Sequence, residues 1–105
     1  MDKREAINIA NRYAEALNQK FNFIKVILFG SFAKGGFHEE SDIDIAVVFK
    51  DFNNLIDMQV ELMRIRRKID SRIEPHPFRE ADFNISNPIA NEIIKYGKEI
   101  RNNTA

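Results

Sequence analysis

Apolar positions change period several times along the chain, and each change marks an element. Ile7, Ala10, Ala14, Leu17 and Phe21 recur at helical spacing, and Asp2 with Glu5 three places later resembles a capping box, so an amphipathic helix is expected up to about residue 20. Residues 24–29, Ile-Lys-Val-Ile-Leu-Phe, form a β-branched apolar run stopped by Gly30 and read as a largely buried strand. A polar, glycine-bearing segment, 31–41, follows. Over 42–49 the period falls to two: Ile43, Ile45, Val47 and Phe49 point one way, and Asp42, Asp44, Ala46 and Val48 the other.

The second half continues the alternation. Asn54 is a helix N-cap candidate, and Leu55, Met58, Leu62, Ile65 and Ile69 are spaced by threes and fours, which predicts a helix ending near Ser71. Residues 72–76 predict a third strand, placed at an edge or strand end by its prolines. Asn87-Pro88 is a helix start, Ile89, Ile93 and Ile94 give that helix an apolar face, and Gly97 stands where a C-cap belongs. A short strand over 98–101 closes the pattern, with the last four residues loose.

The order of elements restricts topology. About a dozen residues separate the first two strands, at or below what a parallel crossover needs, so they are expected to run antiparallel with a short helical turn between. The helix over 55–70 is long enough for a right-handed crossover, so the third strand can lie parallel to the second. Gly30 and Ser31 then stand beside Asp42 and Asp44, and Glu74 comes to the same end. Two carboxylates ~5 Å apart repel by roughly 3 kcal/mol at an effective dielectric near 20, so such a group calls for a cation or a proton. Oxygen ligands suit Mg²⁺ or Mn²⁺, which commonly complete their shell with water and substrate phosphate. A Gly-Ser turn can supply backbone amides and a hydroxyl to that phosphate.

Composition narrows the partners. At 105 residues, 44% hydrophobic and 30% charged, the sequence reads as one folded domain spanning 1–105. Lys plus Arg and Asp plus Glu both number 16, so the molecule as a whole has no long-range attraction for nucleic acid, and Arg64, Arg66, Arg67 and Lys68 read as the wet side of a helix. With no cysteine, thiolate metal sites and Cys nucleophiles are excluded. No apolar stretch of signal or membrane-spanning length occurs, so a cytoplasmic location without membrane contact is expected. His38 and His76 have no second ligand at metal spacing and read as surface or packing residues. Nine phenylalanines leave two readings open: all are core, or some form an apolar contact patch around Phe32, Phe37 or Phe52.

The run V-I-L-F-G-S-F-A-K-G-G followed by S-D-I-D-I-A-V-V-F resembles the signature of the DNA polymerase beta nucleotidyltransferase superfamily, and more narrowly the minimal nucleotidyltransferases. R-I-E-P-H-P-F and N-P-I-A-N-E-I-I-K-Y-G-K-E-I extend the likeness over nearly the whole chain. The resemblance implies an α+β fold, a small mixed sheet with helices packed on it, and transfer of a nucleoside monophosphate from an NTP, with ATP the family's usual donor, to a hydroxyl. It implies that Gly30 and Ser31 hold phosphates, helped by Lys34 where an arginine is frequent. Asp42 and Asp44 would ligate Mg²⁺ or Mn²⁺, with Glu74 as third carboxylate where aspartate is frequent. It further implies a HEPN-type protein partner in a toxin-antitoxin pair, or a homodimer, to complete the acceptor pocket. The other class of function is a non-catalytic module that neutralises such a partner by contact.

Overall fold

The computed structural model describes residues 2–36 and 41–104. Over these the chain forms α1 (Lys3–Asn18), β1 (Lys25–Phe29), α2 (Ser31–Lys34), β2 (Ile43–Phe49), α3 (Leu55–Arg66), β3 (Ile73–Arg79), a 3-10 turn (Glu80–Asp82), α4 (Pro88–Tyr96) and β4 (Lys98–Asn102). The sheet order is β3-β2-β1-β4. β1 runs antiparallel to both β2 and β4, while β2 and β3 run parallel across α3. The fold is α+β with a mixed sheet, as the resemblance implies, and the antiparallel β1–β2 and parallel β2–β3 pairs are those the loop lengths predict. No helix among the described residues is long and apolar enough to cross a membrane.

Both faces of the sheet are covered, which explains why β1 and β2 are apolar almost throughout. Val26, Leu28, Ile43, Ile45, Val47 and Phe49 face α1 and α3, where they meet Ala10, Tyr13, Leu17 and Leu62. Ile27 and Ala46 face the other way, onto Ile93 of α4. Alanines at 6, 10 and 14 bring α1 close to the sheet, and all three are buried. The Tyr13 hydroxyl donates to the Leu62 carbonyl at 2.8 Å, which ties α1 to α3 inside the core.

Three features depart from the sequence expectation. α3 ends at Arg66 rather than near Ser71, because the amides of Arg67, Lys68 and Ile69 return to carbonyls three residues back and tighten the last turn. β3 runs to Arg79, straight through Pro75 and Pro77. Those prolines share one phase of an edge strand, so their missing N–H groups fall on the side away from β2. The outward carbonyls of that phase are satisfied by α3: Arg66 Nη1 donates to Ile73 O at 2.8 Å and Gln59 Nε2 to Pro75 O at 2.9 Å. Gly97 is extended (φ −70°, ψ 154°) rather than left-handed. It is a glycine for lack of room, since a Cβ there would lie 2.5 Å from Ile93 O and 2.6 Å from Ile27 Cγ2. Phe32 is wholly buried, and Phe52 packs edge-on to Phe49 beneath the Arg79 guanidinium, so neither forms an exposed patch. Phe37 and His38 lie outside the described residues.

Burial pushes the Tyr13 hydroxyl well above the ordinary tyrosine range, with nearby Arg66 opposing weakly. The unfolded chain loses this proton near pH ~10 while the folded chain keeps it, so the stability it contributes is complete below that pH and declines as pH rises beyond it. Tyr13→Phe is expected to cost about 1 kcal/mol in urea unfolding at neutral pH. The gap to the wild type should narrow above pH ~10; a constant gap through that range would contradict a buried, protonated Tyr13.

Candidate functional site

The site is built where β1 leaves the sheet. Gly30 has φ +74° and ψ −148°, a backbone that side-chain-bearing residues rarely adopt. The antiparallel register pairs Phe29 with Asp44, so the next residue, Gly30, lies against the Asp44 carboxylate. A Cβ on Gly30 would stand 2.4 Å from Asp44 Oδ2. Only glycine lets the turn and the acid coexist. The turn continues directly into α2: the amides of Ala33 and Lys34 donate to the Gly30 carbonyl at 3.2 and 3.1 Å, and the buried Phe32 ring anchors the turn to the core. Ser31, half-buried, opens the helical turn and precedes its first returning hydrogen bond.

β2 and β3 bring in the acids. Asp42 is exposed just before β2, and Asp44 is half-buried one pleat further in, on the same face as Ala46. The parallel register pairs Asp44 with Glu74 and Ala46 with His76, so Glu74 stands beside Asp44 and His76 one pair deeper. His76 Nε2 lies 3.0 Å from Asp44 Oδ1, and the Phe29 ring meets the imidazole edge-on with centroids 5.0 Å apart. Glu74 Oε1 is 3.8 Å from Arg66 Nη1. Lys34, expected at the phosphates, is ion-paired with Glu92 of α4 and lies 4.8 Å over the Tyr96 ring. Its bond to Glu92 raises its pKa above the ordinary lysine value.

The structure thus joins Gly30, Asp44 and Glu74 at one end of the sheet, with Asp42 and Ser31 at the rim and Lys34 turned toward α4. Among the described residues no three acidic or imidazole side chains are drawn into a ready cage for an ion. One Asp44 oxygen is engaged by His76, and Glu74 has Arg66 for a neighbour. The donors themselves are hard carboxylate oxygens beside a glycine turn, the chemistry that Mg²⁺ and Mn²⁺ prefer, so the residues fit such an ion.

Sequence reasoning missed two residues. His76 has no second ligand along the chain, although the period of two from Glu74, carried across a parallel strand pair, puts it on the face of Asp44. Arg66 reads as an exposed helix residue by periodicity, yet it reaches over the end of α3 to the β3 backbone. A groove between α1 and α3, lined by Ala16, Gln19, Lys20, Arg64, Ile65 and Lys68, lies apart from all of these groups.

The chain is similar to known proteins over most of its length. A Methanocaldococcus jannaschii protein named "Putative protein adenylyltransferase" is 33% identical over 79 residues, covering 72% of this chain and 77% of that one. The crystal structure of a "putative nucleotidyltransferase" from Sulfolobus solfataricus superposes with a TM-score of 0.71 at 22% identity, covering 96% of this chain and 84% of that one, and shows the shared fold. A chain from the crystal structure of a toxin-antitoxin with AMP-PNP gives a TM-score of 0.69 at 26% identity, covering 90% of this chain and 74% of that one. The polymerase beta nucleotidyltransferase family matches residues 11–104, and the chain belongs to that family.

Proposed function

We propose that this chain is a metal-dependent adenylyltransferase that moves AMP from ATP to a hydroxyl of a protein partner, as the antitoxin half of a toxin-antitoxin pair with a HEPN-type partner. The observation that carries the reading is the fit of Asp44 against Gly30, with Glu74 beside it in register. A strained glycine turn packed on a carboxylate has no evident use in stability, because it places an acid where its charge is only partly solvated. It has an evident use in bringing a triphosphate close to carboxylate-held cations.

In this reading Gly30 and Ser31 grip the β and γ phosphates through backbone amide and hydroxyl, and fix the α phosphorus relative to Asp44. Asp42, Asp44 and Glu74 would hold Mg²⁺ or Mn²⁺. When bound, such ions supply charge that acidifies the attacking hydroxyl and stabilises the departing pyrophosphate. Glu74, at the solvent-facing edge of the sheet, accepts the proton of the incoming hydroxyl as its oxygen bonds to the α phosphorus and the bond to the β phosphate oxygen breaks. Among the described residues Asp42 is exposed and Glu74 half-buried, which supports an acceptor brought by another chain. Exposed Ile85, Ile89 and Tyr96 around α4 support a protein contact there. The protein adenylyltransferase name of one relative and the toxin-antitoxin context of another point the same way. Dependence on an NTP pool agrees with a cytoplasmic setting.

ATP with Mg²⁺ at a hundred times its dissociation constant should stabilise the chain by ~2.7 kcal/mol. No rise in melting temperature with any NTP would favour a contact-only role. Asp44→Asn should keep the fold, checked by circular dichroism, and lose transfer of labelled AMP on the order of 100-fold or more, the scale for removing one preorganised electrostatic group. Gly30→Ala should be as damaging to transfer and should also cost about 1–3 kcal/mol of stability, because the new methyl meets both an unfavourable φ and Asp44.

A further inference from the structure

Asp44 is held by a residue that neither the acidic motif nor the glycine turn includes. His76 projects from the same face of β3 as Glu74 and reaches back to Asp44 Oδ1 at 3.0 Å. An ionised carboxylate can only accept, so Nε2 carries the hydrogen and donates it. The imidazole is itself restrained on two sides. Phe29, the β1 residue paired with Asp44, packs edge-on against the ring, and Pro75 and Pro77 flank His76 with fixed φ. The two oxygens of Asp44 therefore meet different surroundings: Oδ1 faces His76, and Oδ2 faces Gly30.

We infer that His76 is a positioning residue for Asp44: its Nε2–H···Oδ1 bond sets the plane of the carboxylate and thereby raises the site's affinity for a divalent cation. The inference rests on the reading of Asp44 as a metal ligand. A carboxylate has about four acceptor positions, and one bond from His76 leaves the others open to a cation. Without that bond the Asp44 side chain regains rotational freedom, which binding must then remove. Partners that orient a ligating carboxylate commonly change metal affinity by about 10–100-fold when removed. His76 does not need to touch nucleotide or acceptor for this effect.

The test measures Mn²⁺ affinity of the full chain without nucleotide, by the loss of the free-ion electron paramagnetic resonance signal, with melting temperature recorded for every variant. His76→Ala should weaken Mn²⁺ binding by about 10–100-fold. His76→Gln, whose terminal amide can donate from nearly the place of Nε2, should recover most of it. Asp44→Asn should abolish the high-affinity site. Unchanged or tighter binding in His76→Ala, with Asp44→Asn still deficient, overturns the positioning role and leaves the metal site standing. Equal weakening in His76→Ala and His76→Gln overturns it too, since bulk or fold rather than the hydrogen bond would be at work. Unchanged binding in Asp44→Asn, or no binding by the wild type, removes the metal reading and this inference with it.

Discussion

The structure turns on one contact, the Asp44 carboxylate packed against the Cα of Gly30. It requires an antiparallel β1 and β2 in the register that sets Phe29 opposite Asp44, and a glycine at a backbone angle other residues avoid. It also requires that the turn be held from behind, which the buried Phe32 does. A carboxylate in this position is only tolerable at the end of a sheet, where one side stays open to water. α4 covers the same face further along, over Ile27 and Ala46, and stops short of the acids. Core packing and an open polar end are thus two parts of one arrangement.

Charge follows the same division. The sequence is balanced overall, with 16 basic and 16 acidic residues, so any attraction for a triphosphate has to be local. Yet, among the described residues, two basic side chains beside the site are already engaged: Lys34 with Glu92, and Arg66 with the Ile73 carbonyl and Glu74. A tetra-anionic nucleotide approaching three carboxylates would meet repulsion on balance. In the proposed function, cations that arrive with the nucleotide would reverse that sign, whereas a protein that bound nucleotide by side-chain charge alone would keep lysines and arginines unpaired around the turn.

Much of this was legible in the sequence because period and punctuation are local properties. The alternation over Ile43–Phe49 put Asp42 and Asp44 on one face, and the short connection after Gly30 gave the antiparallel pairing. What stayed hidden depends on partners distant in the chain. Gly97 is the helix cap it reads as, but the reason it must be glycine, the lack of room for a Cβ beside Ile27 and Ile93 O, shows only in three dimensions. Pro75 and Pro77 look like the end of a strand until α3 supplies donors to its outward carbonyls. His76 looks solitary because its partner lies 32 residues earlier, on another strand.

The edge position of β3 explains why α3 matters to the candidate site as well as to the core. As an edge strand β3 has one neighbour in the sheet, so the backbone groups in phase with Ile73, Pro75 and Pro77 find no partner strand. A slip of one residue would send Glu74 and His76 to the α3 face and bring Ile73 and Pro75 to the site. Arg66 on Ile73 O and Gln59 on Pro75 O oppose that slip, since each bond fits only one phase of the strand. The Tyr13 bond to Leu62 O in turn fixes α3 against α1. Glu74 and His76 are therefore aligned from the far side of the sheet, by a helix to which the proposed function assigns no group in the reaction.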